Sequence, residues 1–136
     1  MIARNFRELA AWQRANELRL LCLELLKRPR VQANAEYRQQ LKDAAGSVAR
    51  NIAEGFGRFR PRQNAQYVRV SCGSAEEIMD LFIEGHECGY ISDEEFPKYE
   101  TAARRAIGTI KNYLKYLDSC DAPNRKSKGS RSQQNP

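Results

Sequence analysis

Histidine, proline and glycine are scarce in this 136-residue chain and its cysteines are dispersed, which excludes several kinds of site. The one histidine is His86, so no site that needs two imidazoles can form within the chain. Cysteine occurs four times, at 22, 72, 88 and 120, and no two residues make a Cys-x-x-Cys pair. His86 cannot complete a zinc ligand set with such dispersed thiols. Catalysis of the Ser-His or Cys-His type needs a base beside the nucleophile. Cys88 stands two residues from His86 and points away from it on a helix. A ferritin-type carboxylate metal site needs Glu-x-x-His, which is absent. No metal, cofactor or catalytic residue is therefore expected. The four thiols read as reduced, small apolar side chains of a cytoplasmic protein. Long apolar runs are missing too. The longest, Leu20–Leu23, is far too short to cross a bilayer, and no signal or transit pattern is read at the start.

With 8 Gly and 5 Pro, breakers sit mostly where helices would stop, and Leu, Ala, Arg and Glu fill the rest. Apolar residues recur every three or four positions, which predicts helices and no convincing strand. The first helix spans about 7–28, with Leu9, Trp12, Leu18, Leu21, Cys22, Leu25 and Leu26 inward and Pro29 as its stop. After a polar link at 30–35, Asn34 caps a second helix, with Glu36 in its first turn. Its stripe is Tyr37, Leu41, Ala44, Ala45, Val48, Ile52 and Phe56, and Gly55 and Gly57 end it through a left-handed closure. Pro61 opens a third helix with Val68, Cys72, Ala75, Met79 and Phe82 on one stripe and Tyr67, Ile78 and Leu81 on a neighbouring one, and Gly89 ends it. Ser92 and Glu95 form a capping box before a fourth, with Phe96, Tyr99, Ala103, Ile107, Ile110, Leu114 and Leu117 inward. Four such helices with short links predict an all-α fold, an antiparallel up-down-up-down four-helix bundle over residues 1–120. The tail, 121–136, is basic, lacks large apolar side chains and is expected to be disordered.

Charge is unevenly distributed. The net charge is +6, yet residues 71–100 carry −8, while 1–30 and 50–70 carry +4 each. A basic balance favours polyanionic partners such as RNA or DNA. Arg50, Arg58, Arg60, Arg62 and Arg69 gather around the second link, interleaved with Phe59 and Tyr67. Arginine and aromatics together can contact phosphates and stack on bases. In an antiparallel bundle Lys111 and Lys115 extend that patch, and Arg104 and Arg105 lie nearer the middle. Arg58, Arg60, Arg62, Arg69, Lys111 and Lys115 are the expected nucleic-acid contacts, against the alternative of an ordinary solvated face. The acidic half can pair with Arg14, Arg19, Arg104 and Arg105 of a neighbouring copy in a ring-closing, head-to-side contact.

Polar residues also intrude beside the apolar stripes. Ser47, Asn51 and Glu54 line one side of the second helix, and Ser74 and Glu77 are similarly placed on the third. One reading is a hydrogen-bonded polar layer that sets helix register or a subunit contact. The other is a catalytic pair, Glu54 with Glu77. Two carboxylates alone lack the electrophile, metal or nucleophile that a reaction would need, so the layer is preferred and the protein is read as no enzyme.

The run Gln40-Leu41-x-x-Ala44-Ala45-x-Ser47-Val48-x-x-Asn51-Ile52-Ala53-Glu54-Gly55 resembles the central motif of the four-helix bundle family encoded in ribosomal-RNA intervening sequences. Gly73-Ser74-x-x-Glu77 resembles its second motif, Phe6-x-x-Leu9-x-x-Trp12-Gln13 its opening, and Gly89-Tyr90-Ile91 the turn before its last helix. Ser71 stands where the pattern has Ala, and Ala75 where it has a larger aliphatic. The resemblance spans about residues 5–118. It implies a homopentameric barrel without catalysis. It also implies kinship with accessory variability proteins of diversity-generating retroelements, which are basic, bind nucleic acid and associate with a reverse transcriptase. The expectation is a nucleic-acid-binding accessory protein acting as a homo-oligomer, with a reverse transcriptase as a possible partner. The alternatives are a protein–protein scaffold or an intervening-sequence protein of another role.

Overall fold

The computed structural model describes residues 3–134, with side chains described from 3 to 120. A 3-10 turn, Phe6–Glu8, leads into α1 (Ala10–Leu26), α2 (Pro29–Ala33), α3 (Ala35–Phe56), α4 (Pro61–Glu87) and α5 (Phe96–Gln134). The chain is all-α, and no strand occurs among the described residues. The four long helices are those the apolar period predicts. The basic tail assigned to 121–136 lies outside the residues whose side chains are described.

The short helix α2 corrects the reading of the first link. Pro29 is a start, not a stop. At the first helical position it has no N–H to lose, so it opens α2, and Val31 is buried completely. The Gln32 amide donates to the Leu26 carbonyl and the Arg38 guanidinium to the Gln32 carbonyl, satisfying groups the helix ends leave open. Asn34 then caps α3, its Oδ1 accepting from the Tyr37 N–H at 3.1 Å.

Gly89 has φ +81° and closes α4 in a Schellman motif. The Tyr90 N–H reaches the Gly85 carbonyl at 2.7 Å and the Gly89 N–H reaches that of His86 at 3.1 Å. Gly55 does something other than the expected left-handed stop. It lies inside α3, buried, against Asn64 of α4. Gly57 caps α3 with φ −75°, so that helix ends without a left-handed residue. The capping box before α5 is present in full. Glu95 N–H donates to Ser92 Oγ at 3.1 Å and Ser92 N–H to Glu95 Oε1 at 3.0 Å.

Contacts between helices run in opposite sequence order, which makes neighbours antiparallel. From one end of the α3–α4 seam to the other, Gly55 meets Asn64, Val48 meets Ser71, Ser47 meets Ser74 and Tyr37 meets Leu81. Across α4–α5, Arg69 faces Asp118 and Glu76 faces Lys111. Helix α1 packs between α3 and α5. The core comprises Leu18, Cys22 and Leu25 of α1, Leu41, Val48 and Ile52 of α3, Val68, Ile78 and Phe82 of α4, and Tyr99, Ala103 and Ile110 of α5. Phe82 and Tyr99 meet edge to face, centroids 5.0 Å apart. Each fully buried large apolar side chain contributes about 1.5–3 kcal/mol, so these stripes outweigh helix propensity, whose differences are mostly below about 1 kcal/mol.

Candidate nucleic-acid interface

The link between α3 and α4 is four residues long, Gly57 to Arg60, and stands at one end of the molecule. Gly57 ends one helix and Pro61 begins the next, so Arg58, Phe59 and Arg60 have no helix on which to fold. Phe59 is 102% exposed, the most exposed large apolar side chain described. Arg58 lies over the Tyr67 ring, 4.7 Å from its centroid, and donates to the Tyr67 hydroxyl at 2.6 Å. Its guanidinium is also 3.5 Å from the Glu54 carboxylate. Arg60 occupies the N-cap position of α4 and Arg62 its first turn, and both are exposed. The tip thus gathers Arg58, Arg60 and Arg62 within a short stretch of chain that also carries one unsheltered ring.

The other three expected contacts lie along the α4–α5 seam, away from the tip. Arg69 is held by Asp118 at 3.0 Å, and Lys111 by Glu76 at 3.4 Å. Lys115 is exposed between them on α5. The six expected cations therefore form a tip and a seam. In the seam, two of the three already face a carboxylate. Such exposed pairs are weak, about 0–1 kcal/mol, but a phosphate must displace the acid to use them.

The polar layer contracts from five residues to three. Ser74 donates to Ser47 Oγ at 2.7 Å, and Asn51 Nδ2 donates to the same oxygen at 2.9 Å. All three side chains are half-buried. Glu54 and Glu77 stand outside the layer on the exposed surface, because an unpaired buried carboxylate is too costly and a long side chain can reach water. Given the α3–α4 register, the two lie about 15 Å apart along the helix axes and share no site.

Sequence reasoning missed three other polar groups. Ser71 is fully buried and donates to the Val48 carbonyl at 2.5 Å. That bond satisfies the buried hydroxyl. Asn64 is buried too, donating to the Tyr113 hydroxyl at 3.0 Å, while its Oδ1 has no partner among the described residues. Arg28 and Glu95 tie α1 to the start of α5. These groups pair across helices, which no local spacing reveals. Among the described residues no group of three or more His, Cys, Asp or Glu side chains could hold a metal ion, and no helix is long and apolar enough to cross a membrane.

The motif residues have clear structural roles. Ala44, Ala45, Val48 and Ile52 are buried, Ser47 bonds to Ser74, and Gly55 admits Asn64. Phe6 meets Trp12 edge-on, centroids 5.4 Å apart. The sequence pattern of the 23S rRNA-intervening sequence protein family matches residues 7–112. The chain belongs to that family. In this 23S rRNA-intervening sequence protein the matched span runs from the opening turn into α5 and includes the tip. No curated protein and no solved structure matches the chain.

Proposed function

We propose that this 23S rRNA-intervening sequence protein is a non-catalytic, cytoplasmic accessory protein that binds nucleic acid through the α3–α4 tip and works as a homo-oligomer. The observation that carries this reading is Phe59, wholly exposed between Arg58 and Arg60 with Arg62 close by. An exposed ring gains nothing from folding. Stacking on a base recovers about 1–3 kcal/mol, while the guanidinium groups hold phosphates with little sequence preference. The test is fluorescence anisotropy with a labelled single-stranded RNA. Replacing Arg58, Arg60 and Arg62 by Glu should weaken binding and flatten its salt dependence by about 2 in slope. Phe59→Ala should weaken it without altering the salt slope. Unchanged binding in both variants would sink the proposal.

Self-assembly is proposed from a second surface. The α1–α5 seam is open along a groove of about 870 Å³, where Leu20 and Leu23 stay 49% and 39% exposed. Lys98 and Arg105 line its α5 wall, and Glu17 and Glu24 its α1 wall. On α4, exposed Ile83 is flanked by Asp80, Glu84 and Glu87. That face of a second copy fits the groove, with Ile83 on the leucines and its acids toward the α5 wall. Contact between different faces repeats around a ring, and the family resemblance implies five members. Sedimentation of the chain and of Ile83→Glu checks this; a monomeric wild type would refute it. A reverse transcriptase as partner is proposed from the resemblance alone, and a pull-down after nuclease treatment is its test.

A further inference from the structure

Besides the tip, three cations converge in a groove between α1 and α3 that the sequence reading did not assemble. The groove holds about 520 Å³, with Arg19, Lys42 and Arg50 on its walls and Ala45 and Gly46 on its floor. A neighbouring hollow of about 390 Å³ takes in Arg50, Ala53, Glu54, Gly57 and Arg58, with Glu54 3.5 Å from the Arg58 guanidinium, so Arg50 belongs to both and the depression continues to the tip. Lys42 and Arg50 stand eight residues apart on α3, about 12 Å along its axis, and Arg58 follows eight residues later in the link.

Not every surface cation keeps an uncancelled charge. Arg14, Arg28, Arg58, Arg69, Arg104 and Lys111 each face a carboxylate within ion-pair distance. Lys42 and Arg50 have no such partner among the described residues. Arg19 is held at 2.9 Å by the neutral Asn16 side chain, which positions its charge without cancelling it. The acid in the groove, Asp43, accepts from Gln39 at 2.9 Å. Arg50 lies along the floor, since a Cβ at Gly46 would come within 3.0 Å of its Nη2. A concave site lined by three cations and one acid keeps a net positive charge and attracts anions, and its length suits a chain of them.

We infer that this groove is a track for the phosphodiester backbone of single-stranded nucleic acid, leading the strand from Arg19 and Lys42 past Arg50 to the tip, where Phe59 stacks on a base. A cationic groove that ends at an exposed aromatic is the arrangement that binds single strands without reading sequence. The inference rests on the nucleic-acid reading of the tip and extends it to a surface about 24 Å long.

The experiment is anisotropy of the full chain with fluorescein-labelled oligo-uridine, and with oligo-thymidine to tell RNA from DNA. One variant carries Arg19→Glu, Lys42→Glu and Arg50→Glu. The other is Gly46→Leu, which fills the floor at constant charge in a helix that favours Leu over Gly. The triple variant should bind at least about tenfold more weakly, with a salt slope lower by about 2. Gly46→Leu should bind several-fold more weakly (by about threefold or more) with no loss of thermal stability. If the tip variant loses affinity while both groove variants bind like wild type, the groove is overturned and the tip stands. If only the charge reversals weaken binding, the effect is a general field and the track is overturned. If wild type binds neither oligonucleotide at about 50 mM salt, both readings fall. Loss of helical signal in the triple variant leaves Gly46→Leu to decide.

Discussion

Arg28 and Glu95 meet in a two-pronged ion pair that ties the end of α1 to the start of α5. The contacts are Nη1 to Oε1 at 3.0 Å and Nη2 to Oε2 at 2.7 Å. Arg28 also donates to the Tyr90 carbonyl and the Tyr99 hydroxyl. The guanidinium, followed by the Ser92 N–H, lowers the Glu95 carboxyl from 4.5 to about 2. Because the folded pKa is depressed, the stabilisation is present above about pH 4.5 and is lost as pH falls toward about 2. Both side chains keep substantial solvent exposure, so screening limits the pair to about 1 kcal/mol. Glu95→Gln should lower the melting temperature by about 3 °C near neutral pH. The difference from wild type should vanish as pH approaches about 2. Calorimetry across that range checks it, and a difference independent of pH would contradict the assignment.

Gly55 and Gly73 should respond oppositely to alanine. Both lie within helices, where Ala is favoured over Gly by about 1 kcal/mol. At Gly73 a Cβ meets nothing within 4 Å, so Gly73→Ala should raise the melting temperature of the chain. At Gly55 a Cβ would lie 2.5 Å from Asn64 Oδ1 and 2.9 Å from the Asn64 carbonyl oxygen. The backbone atom cannot swing aside, and overpacking of this kind costs about 1–3 kcal/mol. Gly55→Ala should therefore destabilise despite its better propensity. Thermal melts of the two variants decide it.

Asp118 restrains Arg69. Asp118→Asn should release that guanidinium to a phosphate, strengthening RNA binding a few-fold (about threefold) and steepening the salt slope by about 0.7. The fold should change by less than about 1 kcal/mol, since the pair is exposed. Weaker binding in this variant would show that Arg69 is not a contact.

The cysteines should separate by reactivity. Cys22 is fully buried and its thiol is pushed up to about 12 by burial, whereas Cys88 is exposed. Iodoacetamide should label Cys88 in the native protein and reach Cys22 only on unfolding. Peptide mass mapping distinguishes them; equal labelling would mean an open core.

Much of the fold was legible because its signals are local. Asn34, Pro61, Gly89 and the Ser92–Glu95 box act within a few residues of themselves, and each stands at the helix end it was expected to mark. Pro29 misled because a proline that ends one helix can equally open the next. The candidate site was legible in composition but not in arrangement. Arg58, Phe59, Arg60 and Arg62 share a tip because they are nearly consecutive. Arg19, Lys42 and Arg50 share a groove only because α1 packs beside α3.

Residue order alone decided that the chain is helical, which faces are apolar and where most helices begin and end, since periodicity and capping depend on neighbours within a turn or two. The packed structure decided which charges are cancelled. Arg69 finds Asp118, Lys111 finds Glu76 and Arg28 finds Glu95 through helix register, while Lys42 and Arg50 have no carboxylate within ion-pair distance among the described residues. Coulomb pairing acts over a few ångströms of space, whatever the separation along the chain, so only folding brings such partners together.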